Sequence, residues 1–399
     1  MRSLIHITGL GVVSAIGNSV EETLQAFEKG TSGIGPITLF PSVHQNQLPV
    51  GEVKLTNEAL ASVLGLQKPV TRTTMLGMLA ARQAVKDSGI KNLNSFRVGF
   101  ISATTVGGMD RTENFFIDYL KDKTTGNLDD VVHHECGSTT ELIADDLGIK
   151  DFISTINTAC SSSVNSIILG SRLIDRDQLD VVVAGGTDAL TKFTLNGFNS
   201  LMILDKEPCR PFDASRAGLN LGEGAGFVVL VSDRVLKQES LNSLAVVSGY
   251  ANTNDAYHQT ASSPEGRGSF AAMQQALEMS NISINDIDYI NLHGTGTQNN
   301  DSSEGTAIQR LFGNAVPKVS STKAFTGHTL GASGGIEAVF SVLAIQKGWA
   351  YPNLRFKTQI PELNYKPLQV LEKELSINHV LSNSFGFGGN CSSIVFSKG

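Results

Sequence analysis

The sequence has few cysteines, no basic surplus and no long apolar run. Its four cysteines are Cys136, Cys160, Cys209 and Cys391. None forms a C-x-x-C pair, which argues against a structural zinc site. The formal net charge is −7, which argues against a general nucleic-acid binder, because phosphate binding needs a concentrated basic face. No window of about 18 uninterrupted apolar residues occurs, so no membrane span is expected. The N-terminal "MRSLIHITGLGVV" is short and glycine-broken, unlike a signal peptide. These absences predict a soluble cytoplasmic protein with free thiols.

What is present is core material and glycine. A chain of 399 residues with 41% apolar residues suits two domains or one duplicated core. Forty glycines imply many tight turns or close approaches to a ligand. Short β-rich runs such as "RVGFIS", "DFISTIN" and "DVVVAGG" alternate with helical ones such as "SSSVNSIILGSRLI", which predicts an α/β architecture. "QAVKDSGI" (83–90) matches "QALEMSNI" (275–282), and each leads through a polar turn into a strand. The match predicts a duplication: residues 1–240 carry Cys160, and 241–399 carry two histidines of interest. With no low-complexity linker between them, the halves are expected to share a packed interface.

"NTACSSSV" (157–164) puts Cys160 between a strand and a helix. A helix N-terminus offers free N–H groups and a positive dipole end, and both favour the nucleophilic thiolate. The plainer alternative is a small buried residue. His293 in "NLHGTGT" follows a strand, and His328 in "KAFTGHTLGASGG" precedes a helix, where catalytic groups of α/β folds collect. The glycine loop "NSFGFGGN" (383–390) supplies exposed N–H groups of the kind an oxyanion hole uses, or else is a tight turn between strands. "VVHHEC" (131–136) lacks metal-ligand spacing and reads as a loop, and "GEGAG" (222–226) reads as a turn before a strand.

Taken together, "NTACSSSVNSI", "NLHGTGT", "STKAFTGHTLGASGG" and "SNSFGFGGN" resemble the β-ketoacyl-acyl-carrier-protein synthases, in their elongating Cys-His-His branch. "ITGLGVVSAIGNSVEE" and "CRPFDASRAGLNLGEGAG" also resemble that family, so the likeness runs from near residue 5 to near residue 397. The resemblance implies a thiolase-like duplicated fold layered α-β-α-β-α, normally dimeric. It implies that Cys160 accepts an acyl chain and that His293 and His328 stabilise charge on a malonyl thioester as it loses CO₂. The N–H groups of Cys160 and Phe387 would form a second oxyanion hole, with Phe387 also gating the acyl pocket. Lys323 would order the site, with Glu304 as its ion-pair partner. Thr295, Thr297 and Thr260 would hold the phosphopantetheine arm, which arrives on the acyl carrier protein. No resident cofactor or metal is implied.

Some residues depart from the family pattern. Ala15 stands where proline is usual, and "GFGGNC" stands where "GFGGTN" is common, which places Cys391 unusually. "RAGLNLGEG" and "HGTGTQNNDSSEG" resemble the branch serving aryl-polyene or polyketide pathways, while the family as a whole implies fatty acid elongation as the other setting. The acidic carrier protein implies a local basic patch, with Lys68, Arg72, Lys206 and Arg210 as candidates. Pocket depth is expected to depend on packing around Ile101, Phe193 and Phe198. The competing readings are a Cys-His thioester hydrolase and a non-catalytic partner of another ketosynthase. Pairing is expected either with a second copy or with a related ketosynthase-like subunit.

Overall fold

Local signals set many element ends. Ser19 caps the first helix by accepting from the Glu22 N–H, and Gly30 closes it at φ 64°. A cap of this kind contributes about 1 kcal/mol. The computed structural model describes residues 4–399.

The first half runs β1 (Ile5–Ser14), α1 (Val20–Lys29), β2 (Ile34–Gly35), β3 (Val50–Gly51), α2 (Asn57–Leu64) and α3 (Arg72–Asp87). It continues with β4 (Val98–Ala103), α4 (Met109–Lys121), α5 (Cys136–Leu147), β5 (Phe152–Ile156) and α6 (Ser162–Asp175). Then come β6 (Val181–Asp188), α7 (Lys192–Ser200), β7 (Gly224–Ser232) and α8 (Asp233–Glu239). The second half runs β8 (Ala245–Asn254), α9 (Arg267–Ser280), β9 (Tyr289–Asn291), α10 (Gln298–Phe312) and β10 (Lys318–Ser320). It ends with α11 (Lys323–Thr326), α12 (Ser333–Lys347), β11 (His379–Phe385) and β12 (Asn390–Ser397).

Ten strands form one sheet in the order β10-β9-β11-β12-β8-β1-β7-β6-β4-β5. Read outward from the middle, β1-β7-β6-β4-β5 and β8-β12-β11-β9-β10 are the same arrangement. Strand directions agree too: two antiparallel pairings, then two parallel ones, in each half. The halves join through a short β1–β8 pairing, His6 with Val246 and Ile7 with Ala245. α6 and α12 pack on each other and on strands of both halves, while α3 and α5 cover one outer face and α9, with α10 against it, the other. This is the α-β-α-β-α layering of a thiolase-like fold.

The eight-residue sequence match has a physical basis. Ser88 donates to the Val85 carbonyl and accepts from the Ile90 N–H. Ser280 does the same with Leu277 and Ile282. Gly89 and Asn281 follow these serines, both left-handed, at φ 72° and 55°. Each helix also lies on a strand glycine. A Cβ on Gly9 would meet the Ala84 carbonyl at 2.1 Å, and one on Gly249 the Ala276 carbonyl at 2.2 Å. The close contact of helix on strand therefore requires glycine at both places.

The central core is continuous between the halves. It joins Ile7 and Val12 of β1 to Val164 and Ile167 of α6, Phe340 and Val342 of α12, and Ile394 and Phe396 of β12. Each such fully buried side chain contributes about 1.5–3 kcal/mol of hydrophobic stabilisation. No helix among the described residues is long and apolar enough to cross a membrane.

Candidate active site

Between β5 and α6 the chain turns sharply. Ala159 sits at φ 54°, a left-handed conformation that costs a residue with a Cβ about 1–2 kcal/mol. Hydrogen bonds hold the turn in place. Ser162 Oγ accepts from the Thr158 N–H at 2.8 Å and donates to the Ala159 carbonyl at 2.5 Å. Ser163 Oγ accepts the Gly335 N–H of α12 at 2.7 Å, tying the two central helices. Ser161 Oγ reaches Asn390 Oδ1 in the C-terminal glycine loop at 2.6 Å. The three serines after Cys160 thus each hold a different neighbour.

Cys160 is buried, just ahead of the cap of α6 rather than within its first turn. The expected thiolate is not the resting form. Burial pushes the thiol up to about 11, against the opposing pull of Lys323 and the Phe387 N–H. Desolvation outweighs the helix terminus here.

His293 lies just beyond β9 and His328 just beyond α11. Their rings are 5.4 Å apart and nearly perpendicular. One donor atom from each, together with Cys160 Sγ, falls within 4.8 Å of the others. Both imidazoles are held well below their usual range, by burial first and the Lys323 ammonium next. Their tautomers follow from the surroundings. Lys323 Nζ donates to His293 Nδ1 at 3.4 Å, and the Leu330 N–H donates to His328 Nδ1 at 3.0 Å. Each ring is left with its proton on Nε2. The cluster is compact enough for a metal, but the ammonium beside it favours an anion over a cation.

One expected pairing is wrong. Lys323 pairs with Glu337 of α12, not with Glu304. Glu304 instead accepts the N–H groups of His293 and Gly294 at 2.9 and 2.8 Å, and the Asn383 amide at 3.1 Å. It therefore shapes the loop that carries His293. Burial raises both carboxyls, with Lys323 opposing the rise at Glu337. Glu337 had a legible signal: it is the one charged residue within the apolar run "GGIEAVFSVLAI", where a buried charge needs a partner.

A cavity of ≈ 340 Å³ opens onto this cluster. Cys160, His293, His328 and Phe387 line it, and so do Thr260, Thr295 and Thr297. Phe198 also lines it and stacks on Phe387 at 5.8 Å. The other two pocket candidates lie elsewhere. Ile101 is in the central core, and Phe193 is exposed on a separate apolar groove beside Phe115 and Phe116. Arg72 is not free to meet a partner either. It is 6% exposed and pairs with Glu223 of "GEGAG" at 2.6 Å. Lys68 and Lys206 are exposed, and Arg210 is half-buried against Asp205. Cys391 is buried in β12 and does not line the cavity, with its thiol pushed up to about 12 by burial. His133 and His134 lie in a loop, as expected.

Residues 2–235 match the β-ketoacyl synthase N-terminal domain, and residues 244–357 match the β-ketoacyl synthase C-terminal domain. The chain belongs to the β-ketoacyl synthase family. A 3-oxoacyl-[acyl-carrier-protein] synthase 2 of Staphylococcus aureus (strain N315) is 35% identical over 420 residues, covering 99% of this chain and 98% of its own. The structure titled the ishigamide ketosynthase/chain length factor superposes with a TM-score of 0.93 at 28% identity, with both chains fully covered. A ketosynthase from Xenorhabdus doucetiae, solved in complex with its chain length factor, gives 0.87 at 31% identity, covering 100% of this chain and 98% of that one. This β-ketoacyl synthase is a condensing enzyme of the 3-oxoacyl-acyl-carrier-protein synthase 2 type, an acyltransferase. Enzymes of this family use no bound cofactor, and their substrates are carried on acyl carrier protein.

Proposed function

We propose that Cys160, from the half spanning 1–240, is the acyl acceptor, and that His293 and His328, from 241–399, drive decarboxylation. The Cys160 sulfur attacks the carrier-bound thioester carbonyl. A new C–S bond forms, the carbonyl's C–S bond to pantetheine breaks, the departing sulfur takes the proton that the Cys160 thiol gives up, and the acyl chain stays on the enzyme. Malonyl carrier protein then enters with its arm along Thr295, Thr297 and Thr260. Its C–C bond to the carboxylate breaks and CO₂ departs. The electron pair spreads onto the thioester oxygen, which accepts from both Nε2–H groups. The enolate carbon attacks the Cys160 thioester, a C–C bond forms, and the cysteine sulfur leaves as thiolate. During this attack the oxyanion on the acyl carbon faces the N–H groups of Cys160 and Phe387.

One observation carries this reading: two imidazoles whose Nδ1 atoms are both occupied by donors, kept neutral by burial and by the lysine beside them. Fixed neutral donors are what an enolate oxygen needs. A hydrolase would need a base for water instead, and both candidate bases are held as donors.

The enzyme acts, on this reading, in the cytoplasm, in the elongation of fatty acid chains or of chains of the polyketide or aryl-polyene type. It pairs with a second copy or a related ketosynthase-like subunit. The unpaired outer side of β5, with Ile153 exposed, supports pairing, as do the exposed Phe116, Leu120 and Phe193. Lys68 and Lys206 serve the acidic carrier protein. The test is intact-protein mass spectrometry with acyl carrier proteins of several chain lengths, followed by malonyl carrier protein. Wild type should gain one acyl increment that Cys160→Ala lacks, then lose it with release of CO₂. Loss of the increment to water without CO₂ would overturn the reading.

A further inference from the structure

Asn390 stands at the point where this chain departs from the family's "GFGGTN". Its carbonyl accepts the Gly386 N–H at 2.8 Å, closing the loop that carries Phe387. Its side-chain Oδ1 accepts from Ser161 Oγ at 2.6 Å, Asn252 Nδ2 at 2.7 Å and Asn165 Nδ2 at 3.1 Å. Ser161 follows Cys160 directly. Asn165, one turn into α6, also donates to Thr158 Oγ1 at 2.8 Å, on the other side of the turn. Ser392 and Asn252 donate to Asn165 Oδ1 and close the network.

We propose that Asn390 is a positioning residue that sets the separation of the Cys160 and Phe387 N–H groups. This rests on the function proposed above, in which those two N–H groups stabilise the acyl oxyanion. They come from segments far apart in the chain. An oxyanion hole tolerates little misplacement, because its donors must lie about 2.7–3.1 Å from the developing charge. One residue reaches both segments: the Asn390 backbone holds the neighbour of Phe387, and its side chain holds the neighbour of Cys160. The Ser161 hydroxyl has one hydrogen and a competing acceptor, the Thr158 carbonyl at 2.7 Å. The two asparagine amides donating to the same Oδ1 hold it in place for that shared hydrogen. His293 and His328 share no hydrogen bond with this network, so on this proposal the two oxyanion sites are tuned separately.

The test compares wild type, N390A, S161A and the double variant in two assays. One is the rate of acyl transfer from acyl carrier protein to Cys160, read by intact mass. The other is CO₂ release from malonyl carrier protein with no acyl donor present. Each single variant should slow acyl transfer by about tenfold, a fraction of the loss seen on deleting a hole donor outright. The double should be no slower than the slower single, because both cut the same tie. CO₂ release should stay within about twofold. Equal loss in both assays would mark a merely structural residue and overturn the proposal, as would unchanged acyl transfer in N390A. If N390A does not fold, S161A cuts the tie from the other end and decides the question alone. A wild type that takes no acyl increment sinks the function reading instead, and the proposal with it.

Discussion

The connection from β5 to α6 and that from β10 to α12 occupy equivalent places in the duplicated fold. The first spans residues 157–161, and the second spans 321–332. Both lead from the outermost parallel strand into a central helix. The short one delivers the proposed nucleophile, Cys160, on a strained turn held by hydroxyls. The long one adds the single turn α11, which brings the Lys323 ammonium and then His328. One scaffold position thus supplies the bond-forming atom in one half and much of the electrostatics in the other. The longer connection is the one that carries the charge.

Removing the sulfur should have the largest effect. Cys160→Ala is expected to abolish the acyl increment and cut condensation by at least about a thousandfold, measured as 3-oxoacyl product per minute. It should leave thermal unfolding nearly unchanged.

The charged turn of the second half is the next target. Lys323→Met leaves Glu337 buried without its partner and should cost about 3 kcal/mol in urea unfolding. The double variant Lys323→Met with Glu337→Leu should recover most of that stability but none of the activity. Recovery of activity would break the claim that the ammonium serves chemistry.

The same variant probes how one connection tunes the other. The thiol of Cys160 is raised by burial and lowered by Lys323, so alkylation by iodoacetamide should rise with pH toward a midpoint of about 11. Lys323→Met removes the charge that favours thiolate, so the midpoint must move upward. The folded state also prefers the neutral thiol. Stability contributed by Cys160 is therefore present below the unfolded value, 9.0, and is lost as pH rises toward 11. Cys160→Ser should abolish that loss.

The smallest expected effect lies where the two central helices meet. Ser163→Ala strands the buried Gly335 N–H and should cost about 1–2 kcal/mol, read as a lower Tm.

The sequence made the α/β class, the repeat and the catalytic trio legible, each through a local signal. "QAVKDSGI" and "QALEMSNI" share a serine and a left-handed residue because both end a helix against a strand glycine. Cys160 was visible at a strand-to-helix junction, and His293 and His328 were visible in loops rich in glycine and threonine. Pair partners were not visible. Lys323 had two buried carboxylates to choose from, and only packing shows that α12 presents Glu337 while Glu304 faces the backbone of the His293 loop. Arg72 looked like a surface cation until "GEGAG" folded over it. The state of the Cys160 thiol was misjudged for a related reason: a sequence shows the nearby helix but not the depth of burial. The serines at 161–163 gave no hint of three separate partners, because those partners lie up to 229 residues away.

The two ends of the ten-stranded sheet are not equally finished. β10 has three residues, bears Lys318, and already gives its Val319 carbonyl to the Leu368 N–H. β5 has five residues and an open outer side. A ribbon sealed at one end can be joined only at the other. Two such ribbons meeting open end to open end would leave nothing for a third to grip, so an association through β5 would close at a pair rather than run on into a filament.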